Sequence, residues 1–356
     1  MDATTTEPEV VAAVVPESRA TAPGIGLTRG LLARGAAVAF VTLLAGLAVP
    51  YLAPDRYVMG LLLDGIILSL LALGVGFLAR HLGLISLGHT AFFGGAAYAL
   101  AIATAQWGWG PLPAAVFGFA VGTALAALMG FLVVRASGMG FLMLTLALGQ
   151  ALYQLCVQTS ARPYTGAYDG LQVPYGSTET FLGMRSDDLM NAASFWPVVW
   201  VSLIVVSLVL WLIGRARFGA ILHGVRDNEE RMRFSGFNTF LPRFAAFVVS
   251  GAVASLGGVL FTLNASYVSP DLLSFLNAGD SLIAVIVGGF GTLIGPIAGA
   301  LLFVYAQAKF NTSGNLGLFT GIALVLVLVF LRGGVTGGIV LLSARIRSAL
   351  RKRGRR

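Results

Sequence analysis

The chain has 356 residues, of which 57% are hydrophobic and 11% charged, with 23 Lys and Arg against 15 Asp and Glu. Soluble domains carry about 25% charged residues, so this chain is too poor in charge for a soluble enzyme, a disordered polymer or a nucleic-acid module. Its composition, with 46 glycines, is that of a multi-span membrane protein.

Residues 1–28, rich in Thr, Ala, Pro and Glu, read as a disordered cytoplasmic tail. A helix needs about 20 apolar residues to cross a bilayer. Apolar runs predict spans at 36–53, 57–79, 86–105, 111–134, 139–158, 195–213, 243–264, 276–290, 293–309 and 316–332. The expected fold is therefore all-α and polytopic, with a transmembrane domain over 29–340 and a basic tail over 341–356. The runs 276–290 and 293–309 are short, and they read either as one broken helix or as a re-entrant pair. Threading ten spans from a cytoplasmic N-terminus leaves only Arg56, Arg162, Arg185 and Lys309 outside among the 23 basic residues. That asymmetry puts both termini in the cytoplasm. It assigns the net charge of +8 to topology and contact with membrane lipid rather than to nucleic acid.

Several stretches carry chemical content. Asp64 lies about 10 Å into the second span at 1.5 Å per residue; an intramembrane carboxylate marks either a pathway or a structural pair. In RHLGLISLGHTAFFGGAAY (80–98), glycines interrupt an apolar run that also holds Ser86, Gly88, His89 and Thr90. Broken helices of this type build transporter sites, while small residues also serve close helix packing. The outer loop, about 159–194, carries Asp169, Glu179, Asp187 and Asp188. The inner loop, 214–242, predicts an eight-residue helix with Asp227 as N-cap and Glu230 completing a capping box. Gly236 stands just past its end, and Pro242 bars continuation. The segment 276–299 is again glycine-broken, at Gly288 and Gly289 among others, and opens near Asp280, which reads either as pathway carboxylate or as interfacial cap.

Enzymatic readings find little support. Cys156 is the only cysteine, so neither an intrachain disulfide nor a cysteine metal cage is possible. His81, His89 and His223 lack metal-ligand spacing, and no cofactor is expected. The only lysines, Lys309 and Lys352, follow no glycine-rich loop, which excludes a P-loop. ATP energy, if used, comes from another subunit.

Together these stretches resemble the inner-membrane permease subunits of bacterial branched-chain amino acid ABC importers, of the LivM type. GLISLGHTAFFGGAAYA matches that family's G-x-x-SLGH-x-AFFG-x-GAY signature through Gly83, Ser86, Leu87, Gly88, His89, Phe92, Phe93, Gly94 and Tyr98. VRDNEERMRFSGFN is similar to its cytoplasmic R-D-N-E…G loop, and YVSPDLLSFL followed by VIVGGFGTLIGPIAGALL resembles its last third. The resemblance runs from about 57 to 340. Two departures stand out: Ala167 in TGAYDGL occupies a position where the family often has glycine, and Arg231-Met232-Arg233 follow Glu230 where ABC importers in general favour small alanines, although the family itself is looser there.

The resemblance implies a transport subunit in the bacterial inner membrane with no ATPase of its own. It pairs with a second homologous permease, two cytoplasmic ATP-binding subunits and a periplasmic substrate-binding protein. The implied ATPase-coupling loop comprises Arg226, Asp227, Asn228, Glu229, Glu230 and Gly236. The pathway candidates are Ser86, Gly88, His89, Asp64, Asp280, Gly288 and Gly289. The implied solute is a branched-chain or other hydrophobic amino acid. Urea or short amides, and stand-alone ion-coupled transport through Asp64 and Asp280, are the rival readings.

Overall fold

The computed structural model describes residues 29–52, 55–175 and 180–311, together with 321, 322, 334, 336 and 337. The two expected tails, Glu179, and the span expected at 316–332 (apart from 321 and 322) lie outside the described residues.

The elements are α1 (Arg29–Leu47), α2 (Val49–Leu52), α3 (Arg56–Leu82), α4 (His89–Trp107), α5 (Pro111–Val133) and α6 (Gly138–Val157). The outer segment follows with α7 (Arg162–Thr165), β1 (Leu171–Gln172), β2 (Thr180–Phe181), β3 (Met184–Arg185) and α8 (Ser186–Met190). Then come α9 (Ala192–Arg215), α10 (Arg217–Asp227), α11 (Glu229–Phe234), α12 (Phe240–Ala265), β4 (Tyr267–Val268), α13 (Phe275–Gly288) and α14 (Ile294–Asn311). The fold is all-α in its membrane part, as the apolar runs predict, and each strand has only two residues. Among the described residues six segments are long and apolar enough to cross a membrane: Gly35–Leu52, Arg56–Leu82, Pro111–Val133, Gly138–Val157, Ala192–Arg215 and Phe240–Ala265. α4 is long enough but is not among them. Its Ala, Gly, Thr and His content suits a helix enclosed by protein, and most of it is buried.

α3, α4 and α12 form the centre. α5 packs on α4 and α12, α9 and α14 pack on α3, and α1 packs on α9. Lipid tails are as apolar as leucine, so close packing rather than hydrophobic transfer holds such helices together. Phe247 makes near-perpendicular ring contacts with Phe92 at 5.5 Å and Phe141 at 5.9 Å, and all three rings are fully buried. Where α12 crosses α4, Gly258 lies so close to Phe93 that a β-carbon would collide with the Phe93 carbonyl.

α3 ends in a left-handed Gly83, whose N–H donates to the Ala79 carbonyl at 3.0 Å. The chain then runs back into the bundle without helix until His89. A β-carbon on Gly74, well inside α3, would meet both the Ser250 backbone and the His89 ring. α4 therefore begins within the bundle, several residues' depth from the end of α3.

α13 and α14 form an antiparallel hairpin. A helix of 14 residues spans about 21 Å, short of a bilayer core of about 30 Å. At the turn Thr336 donates to the Gly288 carbonyl at 2.7 Å and accepts from Thr292 at 3.2 Å. The chain has thus returned to this end by residue 336.

Candidate functional site

Between the ends of α3, α13 and α14 that the basic-residue asymmetry leads one to expect outside lies a cavity of about 610 Å³, the outer chamber. Its polar lining is Tyr57, Asp64, Thr90, Asn277, Asp280 and Gln307, and its apolar lining includes Leu68, Leu71, Phe93, Phe261, Leu272 and Phe303. Among the described residues no Lys, Arg or His lines it. Among the described residues neither Asp64 nor Asp280 makes an ion pair. Two residues far apart in the chain, both singled out as intramembrane carboxylates, therefore share one chamber. Ser274 caps α13 by accepting from the Asn277 N–H at 3.3 Å, and the Asn277 amide donates to the Asp271 carbonyl at 2.6 Å. The helix start is thereby fixed, which orients Asp280 one turn further on.

The other pathway candidates do not line this chamber. Ser86, Gly88 and His89 form the enclosed start of α4. The Ser86 hydroxyl accepts from the Gly88 N–H at 3.2 Å, and a β-carbon on Gly88 would press on the Thr145 backbone. The Ser250 hydroxyl donates to the Phe247 carbonyl at 2.8 Å, so it accepts from His89 Nε2–H at 3.1 Å. That fixes the tautomer and leaves His89 Nδ1 buried without a hydrogen-bond partner. Thr90, the next residue, reaches the chamber. Gly288 and Gly289 lie at the hairpin turn, at the opposite end of α13 from Asp280. A β-carbon on Gly288 would collide with the Gly295 backbone, so its smallness serves the close approach of α13 and α14.

At the end expected to face the cytoplasm, the inner end, the loop 214–242 is more ordered than its charge suggests, and the expected single helix beginning at Asp227 is corrected. Asp227 is the last residue of α10, whose buried face carries Leu222 and Val225. Asn228 breaks the run with extended backbone and caps α11, its side chain accepting from the Arg231 N–H at 2.8 Å. The N3 position is then Arg231, so Glu230 completes no capping box. An amide accepts from the helix N–H groups as well as a carboxylate does, and it sits one residue later. α11 has six residues rather than eight. Gly236 follows it with φ of +84°, and the Phe237 N–H reaches the Met232 carbonyl at 3.1 Å, a Schellman-type end. Pro242 falls within the first turn of α12, where a missing N–H costs little, and so starts a helix rather than barring one.

α11 is fastened to the bundle at two points. Glu229 Oε2 accepts from Arg243 Nη1 at 2.7 Å and Oε1 accepts from the Thr239 hydroxyl at 2.9 Å, while Arg243 also donates to the Ala136 carbonyl. The Arg243 side chain is 5% exposed, so its charge depends on Glu229. Just before α11, Arg226 donates to the Arg80 carbonyl near the end of α3. α12 and α3, the helices so gripped, also carry Phe261 and Asp64 into the chamber. Glu230 is exposed and has no such fastening.

Arg243, Asn277 and Gln307 were missed from the sequence, while Thr90, noted in the broken segment, was not among the pathway candidates. Asn277 precedes Asp280 by three residues and so shares its helical face. Gln307 and Arg243 are isolated polar residues in apolar runs, which is itself a functional signal.

The chain was compared with known proteins. The family described as "Branched-chain amino acid transport system / permease component" matches residues 57–339. The high-affinity branched-chain amino acid transport system permease protein LivM of Salmonella typhimurium is 27% identical over 260 residues, 67% of this chain and 60% of the relative. LivM of Escherichia coli is 26% identical over the same shares. The autoinducer 2 import system permease protein LsrC of Salmonella choleraesuis is 27% identical over 165 residues, 44% of each chain. The chain thus spans about three-fifths of the length of the LivM relatives it matches. No solved structure matches it significantly.

Proposed function

The chain belongs to the family of branched-chain amino acid transport system permease components, and from that premise we propose that it is the translocation subunit of an ATP-driven importer. The carrying observation is the chamber in which Asp64 and Asp280 face an otherwise largely apolar lining with no basic group. An amino acid brings an ammonium group for a carboxylate and, if branched-chain, an aliphatic group for Leu71, Phe93 and Phe303. We therefore read the solute as a branched-chain or other hydrophobic amino acid.

In this reading α11 docks on a cytoplasmic ATP-binding subunit, with Arg226, Asp227, Asn228, Glu229, Glu230 and Gly236 forming the docking segment. Glu229–Arg243 and Arg226–Arg80 then carry its displacement to α12 and α3. Alternating access requires two discrete packings of the helices, and the ATPase biases them through this contact. A second homologous permease, two ATP-binding subunits and a periplasmic substrate-binding protein complete the importer in the bacterial inner membrane, with both termini cytoplasmic. Ser86, Gly88 and His89 act on the pathway through the start of α4, next to Thr90, and Gly288 and Gly289 act through the hairpin turn.

A second reading has a specific basis. Asn277, Gln307, Thr90 and Tyr57 add hydrogen-bonding groups that suit a hydroxyl-rich solute, and the LsrC relative is named for autoinducer 2 import. Urea or short amides, and ion-coupled transport by the chain alone, are further alternatives. The test is uptake into proteoliposomes holding the chain with its candidate partner subunits, offered leucine, valine, urea and a small polyol. Nucleotide-dependent leucine or valine uptake supports the proposal; equal uptake by the chain alone without nucleotide overturns it.

A further inference from the structure

A second cavity, of about 710 Å³, lies at the other end of the molecule between α1, α3, α9, α10 and the α13–α14 turn. Its lining runs along α9 from Trp200 to Arg215, a rise of about 22 Å at 1.5 Å per residue, the length of an acyl chain rather than of a compact solute. α1, which forms its outer wall, is only 6% buried over its apolar window, so the cavity borders the lipid. Most of the wall is apolar, for example Val38, Ile204, Leu208 and Ile297. Partway along it the Ser207 hydroxyl is buried with no hydrogen-bond partner.

One end is different. Arg80, His81, Arg215 and His223 converge there, and among the described residues no carboxylate lines the cavity. Among the described residues neither Arg80 nor Arg215 has an ion-pair partner. Arg215 is held over the Trp211 ring at 5.3 Å, and the His81 and His223 rings lie 5.1 Å apart. Burial, and then the guanidinium groups of Arg226 and Arg80, hold the His223 pKa below its usual value, with Asp227 opposing. The cluster is thus electrostatically unsatisfied.

We propose that this cavity binds one anionic phospholipid, its phosphate between Arg80 and Arg215 and one acyl chain along the groove between α1 and α9. Charge complementarity selects this occupant, since basic pockets between membrane helices attract anionic headgroups. The chain's own C-terminal stretch is a poor alternative, because residues 332–356 carry no acidic side chain and many arginines. The proposal goes beyond the transport reading and requires only that the chain lies in a membrane.

The test is native mass spectrometry and thermal unfolding of the full chain in nanodiscs of phosphatidylglycerol or of phosphatidylcholine. The wild type should retain phosphatidylglycerol in preference to phosphatidylcholine and unfold at higher temperature with it. The variant R80Q/R215Q should lose that preference, with retention falling on the order of tenfold, and should match the wild type in phosphatidylcholine. S207F, which fills the groove and keeps both charges, should reduce retention of either lipid. Preference unchanged in R80Q/R215Q overturns the proposal. So does an equal thermal shift from inorganic phosphate alone, or retention that appears only when acidic residues 1–28 are deleted, which would make that stretch the occupant.

Discussion

In the outer chamber Asp64 and Asp280 stand without an ion pair among the described residues, whereas at the inner end Glu229 is gripped by Arg243 at 2.7 Å and by Thr239 at 2.9 Å. Unpaired intramembrane carboxylates cost stability and leave a binding valence free. A buried pair is costly to break and suits a fixed mechanical joint. In the proposed account the chamber accepts a group that no described residue supplies, and the inner end holds the chain's own parts together.

The contrast predicts different failures. The largest should come at the seam joining the two regions. Gly258→Leu would drive a side chain into the Phe93 backbone, and no folded protein should be recovered from membranes, as scored by size-exclusion chromatography. Next, Arg243→Ala leaves Glu229 without its buried partner. It should lower stability by about 3 kcal/mol, the lower end for a broken buried pair because Glu229 is partly exposed. Chemical denaturation in detergent measures it, and a loss under 1 kcal/mol would show the joint to be incidental. Glu230→Lys should leave that stability unchanged while ATP-coupled uptake falls at least about tenfold, since in the proposed docking this exposed residue meets only the ATP-binding subunit. Loss of stability there would erase the distinction between joint and docking face.

The smallest effect concerns Ala167, in the outer segment that β1 ties to β4 beside the chamber's helices. Ala167 is buried with φ of +50°, at the position where the resemblance leads one to expect glycine. A left-handed non-glycine residue costs about 1–2 kcal/mol, part of which the greater unfolded-state freedom of glycine cancels. Ala167→Gly should therefore raise stability by about 1 kcal/mol or less, read as a small upward shift in thermal midpoint with uptake unchanged.

The apolar runs placed the long helices within a few residues, because membrane crossing demands length and apolarity that local sequence carries directly. Asp64 and Asp280 were recognisable for the same reason, being charged residues inside such runs. Their convergence was not, since it depends on the hairpin that folds α13 back along α14. Asn228 was overlooked as a cap because Asp227 beside it has an equally good capping side chain, and only the backbone break at 228 decides between them. Glu229 and Arg243 are 14 residues apart on different helices, so no helical periodicity links them. The polarity of His89 fitted a pathway role and an interhelical hydrogen bond equally; its Nε2 meets Ser250, a partner 161 residues away that local sequence could not reveal.

The central claim is that the outer chamber carries the solute while the energy enters elsewhere, and the double variant Asp64→Asn/Asp280→Asn tests it most directly. In proteoliposomes with the partner subunits, uptake of labelled leucine and nucleotide hydrolysis are measured side by side. The account predicts that uptake falls at least about tenfold while the complex still assembles and hydrolyses nucleotide. Leucine uptake at the wild-type rate would contradict it.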